Sequence, residues 1–142
     1  MANGRRGGID LPSSKDLDTI IRGDMLESAR LTNDWAQKIG KALQRDLKAA
    51  QIRNIFGKVR QIEMNWSLGG SAAVAQRDLI LLKPKLRYQS ERKREVESLA
   101  NLLIDAIDLV DARDEQDTRE KFQRFVDFFE AILAYHKAEG GR

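Results

Sequence analysis

The stretch Ile52-Arg-Asn-Ile-Phe-Gly-Lys-Val-Arg-Gln-Ile-Glu-Met-Asn-Trp66 decides the fold class. Its apolar residues Ile52, Ile55, Phe56, Val59, Ile62 and Trp66 recur at three and four, the period of a helix with one buried face, not the alternation of a strand. Gly69-Gly70 follows, where glycine takes the left-handed conformation that ends helices, and Ser71 suits the N-cap of the next.

The same period extends in both directions. Upstream, Met25, Leu26, Ala29, Trp35, Ala36, Ile39, Leu43 and Leu47 predict one long helix from Asp24, with a candidate interruption at Thr32-Asn33-Asp34. Downstream, residues 72–82 carry Val74, Leu79, Ile80, Leu81 and Leu82. Lys83-Pro84 predicts an end or sharp bend there, because proline disfavours helical backbone in the residue before it. A fourth helix is expected over 85–110, with Leu99, Leu102, Leu103, Ala106, Ile107 and Val110 on its buried side. After a polar connection over 111–117, a last helix over 118–138 places Phe122, Phe125, Val126, Phe129, Ile132, Leu133 and His136 on one stripe, and Gly140-Gly141 ends it. Phe128 and Tyr135, with Arg124 and Ala131, form a second stripe, read as further packing within the bundle in preference to a surface for a neighbouring subunit. The expected fold is all-α, a single compact five-helix bundle over 15–142. Residues 1–14 hold Gly4, Gly7, Gly8, Pro12 and two serines with little apolar content, and read as a disordered, flexible tail.

Composition agrees with one helical domain. The chain has 142 residues, 42% hydrophobic and 33% charged, with 6% aromatic and two prolines. It has no cysteine, which excludes disulfides, thiolate metal sites and cysteine nucleophiles and suits a reducing compartment. The basic start is followed by polar Pro12-Ser-Ser-Lys-Asp16 and not by the apolar segment of a signal peptide, and no run reaches membrane-spanning length. A cytoplasmic protein with no membrane partner is expected.

Motifs for catalysis are sparse. Gly69-Gly70-Ser71 lacks the Lys-Ser/Thr pair of a phosphate-binding loop. His136 is the only histidine and is expected to be structural or solvated. The run Asp105, Asp108, Asp111, Asp114, Glu115 and Asp117 offers carboxylates to a hard cation, but lacks the glycine and closing glutamate of a calcium loop and reads as a solvated face. No catalytic residue, metal or cofactor is expected.

Charge is the better lead because it is polarised. Residues 41–60 hold six Lys/Arg against one Asp, residues 77–94 seven against two acids, and residues 95–120 two against nine. Arg53 and Arg60 are seven apart and project from nearly one side of their helix, about 10 Å apart, while Lys58 flanks the opposite edge of the apolar stripe. Lys83-Pro-Lys-Leu-Arg-Tyr88, continued by Arg92, Lys93 and Arg94, concentrates cations around an expected helix start, where they oppose the helix dipole unless an anion binds. Phosphate is the natural candidate, although on charge alone an ordinary basic surface serves equally well. Most of the nine aromatics lie on apolar stripes, so platforms for base stacking are not evident.

Three blocks, Ile52-Arg-Asn-Ile-Phe-Gly-Lys-Val-Arg60, Leu81-Leu-Lys-Pro-Lys-Leu-Arg-Tyr88 with Arg92, and Phe125-Val-Asp-Phe-Phe-Glu-Ala-Ile-Leu-Ala-Tyr-His-Lys137, together resemble the small subunit of the type III-A CRISPR interference complex, the Csm effector. The resemblance runs from about residue 20 to the end. It implies a compact helical bundle, stacked in copies along the complex beside guide RNA and target single-stranded RNA, that binds without cleaving in antiviral defence. Its implied partners are those RNAs, other copies of itself and the other Csm subunits, including the backbone subunit and the large signature subunit, which carry the cleavage activities. It implies that Arg53, Lys58, Arg60, Lys83, Lys85 and Arg92 contact the RNA backbone, with Lys48 added by charge and proximity. Arg87 adds a charge that the family pattern does not supply. Two other readings are a self-associating helical adaptor that binds an acidic protein, and a metal-dependent nuclease using the acidic run.

Overall fold

In a computed structural model, the described residues are 5–6, 9–110 and 114–140. They form six α-helices: α1 Ser14–Arg22, α2 Met25–Leu43, α3 Ala49–Ser67, α4 Ala72–Arg92, α5 Glu97–Ile107 and α6 Glu115–Ala138. A 3-10 turn, Arg94–Val96, links α4 to α5, and two-residue strands β1 Arg5–Arg6 and β2 Ile9–Asp10 pair antiparallel.

Four of the six helix starts are set by a capping side chain. Ser13, Asp24, Ser71 and Asp114 accept the backbone N–H three residues on, satisfying donors the helix itself leaves free. Gly69, with φ 108°, makes the turn between α3 and α4 that only glycine adopts without strain.

Helices α2 and α6 pack most extensively and run in the same direction. Arg124 donates to the carbonyl of Gly23 at one end, and Gly40 abuts the backbone of His136 at the other. α5 is buried almost all round, as befits a helix apolar on nearly every face. The stripe of α3 packs on α6, where the rings of Phe56 and Phe129 meet edge to face with centroids 5.0 Å apart. The second stripe on α6 is packing, as expected: Phe128 is buried and the Tyr135 hydroxyl donates to Asn33 at 2.5 Å.

The bundle departs from the expected five helices in three places. α1 is additional; its Leu17, Ile20 and Ile21 are buried, and Asp16 accepts the indole N–H of Trp35 at 2.9 Å. Of the expected tail, Ile9 and Leu11 are also buried in the core, while residues 1–4 and 7–8 lie outside the described residues. Pro84 does not end a helix. It is exposed within α4, as is Ile80, whose carbonyl loses its partner, so water can take the freed acceptor. The break comes instead at Lys93, so the expected helix over 85–110 is divided between α4 and α5. α2 runs unbroken through Thr32-Asn33-Asp34.

Candidate nucleic-acid interface

Helices α3 and α4 are antiparallel, and between them lies a groove of about 570 Å³. The α3 wall presents Asn54, Lys58, Gln61 and Asn65, which recur at three and four on the edge of the helix beside its buried stripe. The α4 wall presents Arg77, Leu81 and Lys85, spaced by four. A smaller hollow of about 230 Å³ continues it past Asn54 to Gln89 and Lys93. Lys58 donates to Asn54 at 3.3 Å and Gln61 to Asn65 at 3.1 Å. Arg77 is paired with Asp78 at 3.0 Å, and no ion pair among the described residues holds Lys85.

The groove gathers only part of the expected cation set. Lys58 and Lys85 line it, and Arg92, seven residues beyond Lys85, continues the same wall. Arg53 and Arg60 stand about 140° and 160° round α3 from Lys58, on the edge toward α6. There Arg60 pairs with Glu63 at 3.1 Å and reaches Glu130 at 3.9 Å. Lys83 lies about 160° round α4 from Lys85 and is held by Asp108 at 2.5 Å. Lys48 is exposed at the N-cap of α3, its amide donating to Gln51 at 2.9 Å. Arg87, the charge outside the family pattern, donates to Asn101 at 2.7 Å and fastens α4 to α5.

Because α4 continues through Pro84, the basic residues Lys83, Lys85, Arg87 and Arg92 occupy the carboxyl half of a helix and not a helix start, with Lys93 at its C-cap. Cations are favourable there, so the dipole gives no reason of its own for a bound anion. What favours one is the groove. Four residues in it escaped the sequence reading: Arg77, Asn54, Gln61 and Asn65. The four-residue spacing 77, 81, 85 was the signal for the first.

The acidic run performs structural work. Asp114 caps α6, and Glu115 accepts from the Ala72 amide at 3.2 Å and the Trp66 indole at 3.3 Å. The Ala72 bond first, then the Trp66 bond and Arg119, hold the Glu115 carboxyl below the usual carboxylate range against a smaller opposing effect of desolvation. Asp108 pairs with Lys83 and Asp117 with Lys121, and Asp111 lies outside the described residues. Among the described residues no three His, Cys, Asp or Glu side chains group as metal ligands, and no helix is long and apolar enough to cross a membrane.

His136 is fully buried, and its Nε2 donates to the carbonyl of Leu47 at 2.6 Å. It is a core residue joining the end of α6 to the α2–α3 link.

The molecule is thus a small all-helical protein with a cationic, amide-lined groove between two antiparallel helices. Residues 26–142 match the family model described as Csm2 Type III-A, and the chain belongs to that family. It is a small, structural subunit of the type III-A CRISPR Csm effector complex, associating with the other Csm subunits. No curated protein and no solved structure matches it.

Proposed function

We propose that this subunit holds the guide and target RNA backbone through the α3/α4 groove, without reading sequence and without catalysis, while copies of it stack along the complex in the cytoplasm. The observation that carries the reading is that Lys58 and Lys85 line one groove from opposite walls, with Asn54, Gln61 and Asn65 beside Lys58 on the α3 wall. Lysines gain affinity for a polyanion by releasing its counterions, which needs no base contact. Side-chain amides both donate and accept, which suits phosphate oxygens and the ribose 2′-hydroxyl together. Guide pairing would read the sequence, so the protein need supply only position and charge.

Arg53 and Arg60 form a separate exposed edge of α3 and Lys48 stands at the helix start, and on this reading the three add long-range attraction more than contact. Lys83 is committed to Asp108 and contributes least. The test is chemical acetylation of lysines in the full chain with and without an unstructured single-stranded RNA, read residue by residue by mass spectrometry. RNA should protect Lys58 and Lys85 and leave Lys83 unchanged. Equal modification of Lys58 and Lys85 in both samples, with RNA demonstrably bound, would place the site elsewhere.

A further inference from the structure

Tyr88 is 64% exposed, and no hydrogen bond among the described residues engages its hydroxyl. The guanidinium of Arg92 lies over its ring at 5.8 Å. Neither core packing nor a polar anchor therefore accounts for a tyrosine at this position. Its register does connect it to the groove. Leu81 and Tyr88 are seven apart on α4, as are Lys85 and Arg92, so each pair projects within about 20° of one direction and about 10 Å apart. Leu81 and Lys85 line the groove, and Tyr88 and Arg92 extend its α4 wall beyond the lining residues. Arg77, Leu81, Lys85, Tyr88 and Arg92 thus form one strip about 22 Å long in which cations alternate with an aliphatic and an aromatic side chain.

We propose that Tyr88 is a stacking platform for one unpaired base, so that the groove takes single-stranded RNA, or a strand with a base turned out, in preference to a closed duplex. Alternating phosphate-binding cations and exposed aromatic rings is the arrangement that holds single strands with little regard to sequence, since every base has a π-face. Lys85 and Arg92 flank Tyr88 on the strip, where they would hold the phosphates on either side of the stacked base. In a paired strand the bases are stacked on one another, and Tyr88 would gain nothing. This inference rests on the RNA-binding reading above and adds the conformation of the RNA.

The test compares a labelled unstructured RNA strand with the same strand annealed to its complement, for the natural chain, Tyr88→Ala and Tyr88→Phe, with helicity checked for each. The natural chain should favour the single strand. Tyr88→Ala should weaken single-strand binding about five- to a hundredfold, the range carried by one base–aromatic stack. Duplex binding and the salt dependence should stay as they were, and Tyr88→Phe, which keeps the ring, should behave as the natural chain. If Tyr88→Ala binds the single strand as tightly as the natural chain, the stacking role is wrong while the groove reading survives. If the natural chain binds neither form, the groove reading falls, and this inference with it.

Discussion

Gly40 of α2 lies so close to the backbone of His136 in α6 that a Cβ on it would sit 2.7 Å from the His136 nitrogen and 2.8 Å from the Cβ of Tyr135. The obstacle is largely main chain in a packed interface where His136 is fully buried, so it has little freedom to retreat. Gly40→Ala must push α2 and α6 apart, and overpacking of this kind costs about 1–3 kcal/mol. Urea unfolding of the two proteins checks it. An unchanged midpoint would mean that the two helices leave room for a methyl group at Gly40.

His136 works in the same interface by a different means. Removing its imidazole leaves the Leu47 carbonyl without its partner and opens a cavity. His136→Ala should therefore lose about 2–4 kcal/mol of stability, the unsatisfied acceptor and the lost packing each contributing. Equilibrium denaturation followed by circular dichroism measures it, and a loss below about 1 kcal/mol would show that the bond is dispensable.

Glu115 joins the start of α6 to the end of α3 and the start of α4. Its carboxyl titrates below the usual range in the folded chain, chiefly because the Ala72 amide donates to it. A carboxyl lowered by folding adds stability that is present above its unfolded pKa and lost as pH falls through the folded one. Glu115→Ala should have a lower Tm at neutral pH, and its deficit against the natural chain should shrink on acidification. Thermal unfolding monitored across pH 7 to 3 tests this; a deficit independent of pH would assign the effect to packing alone.

Pro84 sits in the exposed face of α4, where it removes one helical hydrogen bond. Pro84→Ala restores the donor to Ile80 and should raise stability by roughly 1–3 kcal/mol. Thermal unfolding with circular dichroism detection reads it, and a fall in Tm would mean that the proline's fixed backbone angle sets the path of α4.

Much of the bundle was legible in the sequence because the stripes of α3 and α6 keep a helical period over many turns, and the buried residues Ile52, Ile55, Phe56, Val59, Ile62 and Trp66 are those the spacing selects. α1 was hidden by its setting, since nine residues with only Leu17, Ile20 and Ile21 to bury follow a segment rich in glycine, proline and serine. Pro84 misled because a local backbone rule yields when the lost hydrogen bond faces solvent. That single error also concealed Tyr88. Carried through Pro84, the buried register Ala75, Leu79, Leu82, Leu86 and Ser90 leaves Leu81 and Tyr88 outside, whereas a helix ending at 82 gives no register to carry. The division of cations between the groove and the α6 edge depends on how α3 and α4 face one another, which is a tertiary fact. Charge counts along the chain see the two basic segments but not the azimuth of each lysine.

The most direct test of the groove as the RNA site is binding of a labelled, unstructured single-stranded RNA at two salt concentrations. The natural chain is compared with Lys58→Ala/Lys85→Ala and with Arg53→Ala/Arg60→Ala, all checked for helicity. The natural chain should bind, and salt should weaken it. The groove variant should lose most of the affinity, with a log–log salt slope shallower by about 1.4 for two lost phosphate contacts, while the α6-edge variant loses less. A groove variant that binds with the natural affinity and slope, or a natural chain that does not bind at all, would contradict the account.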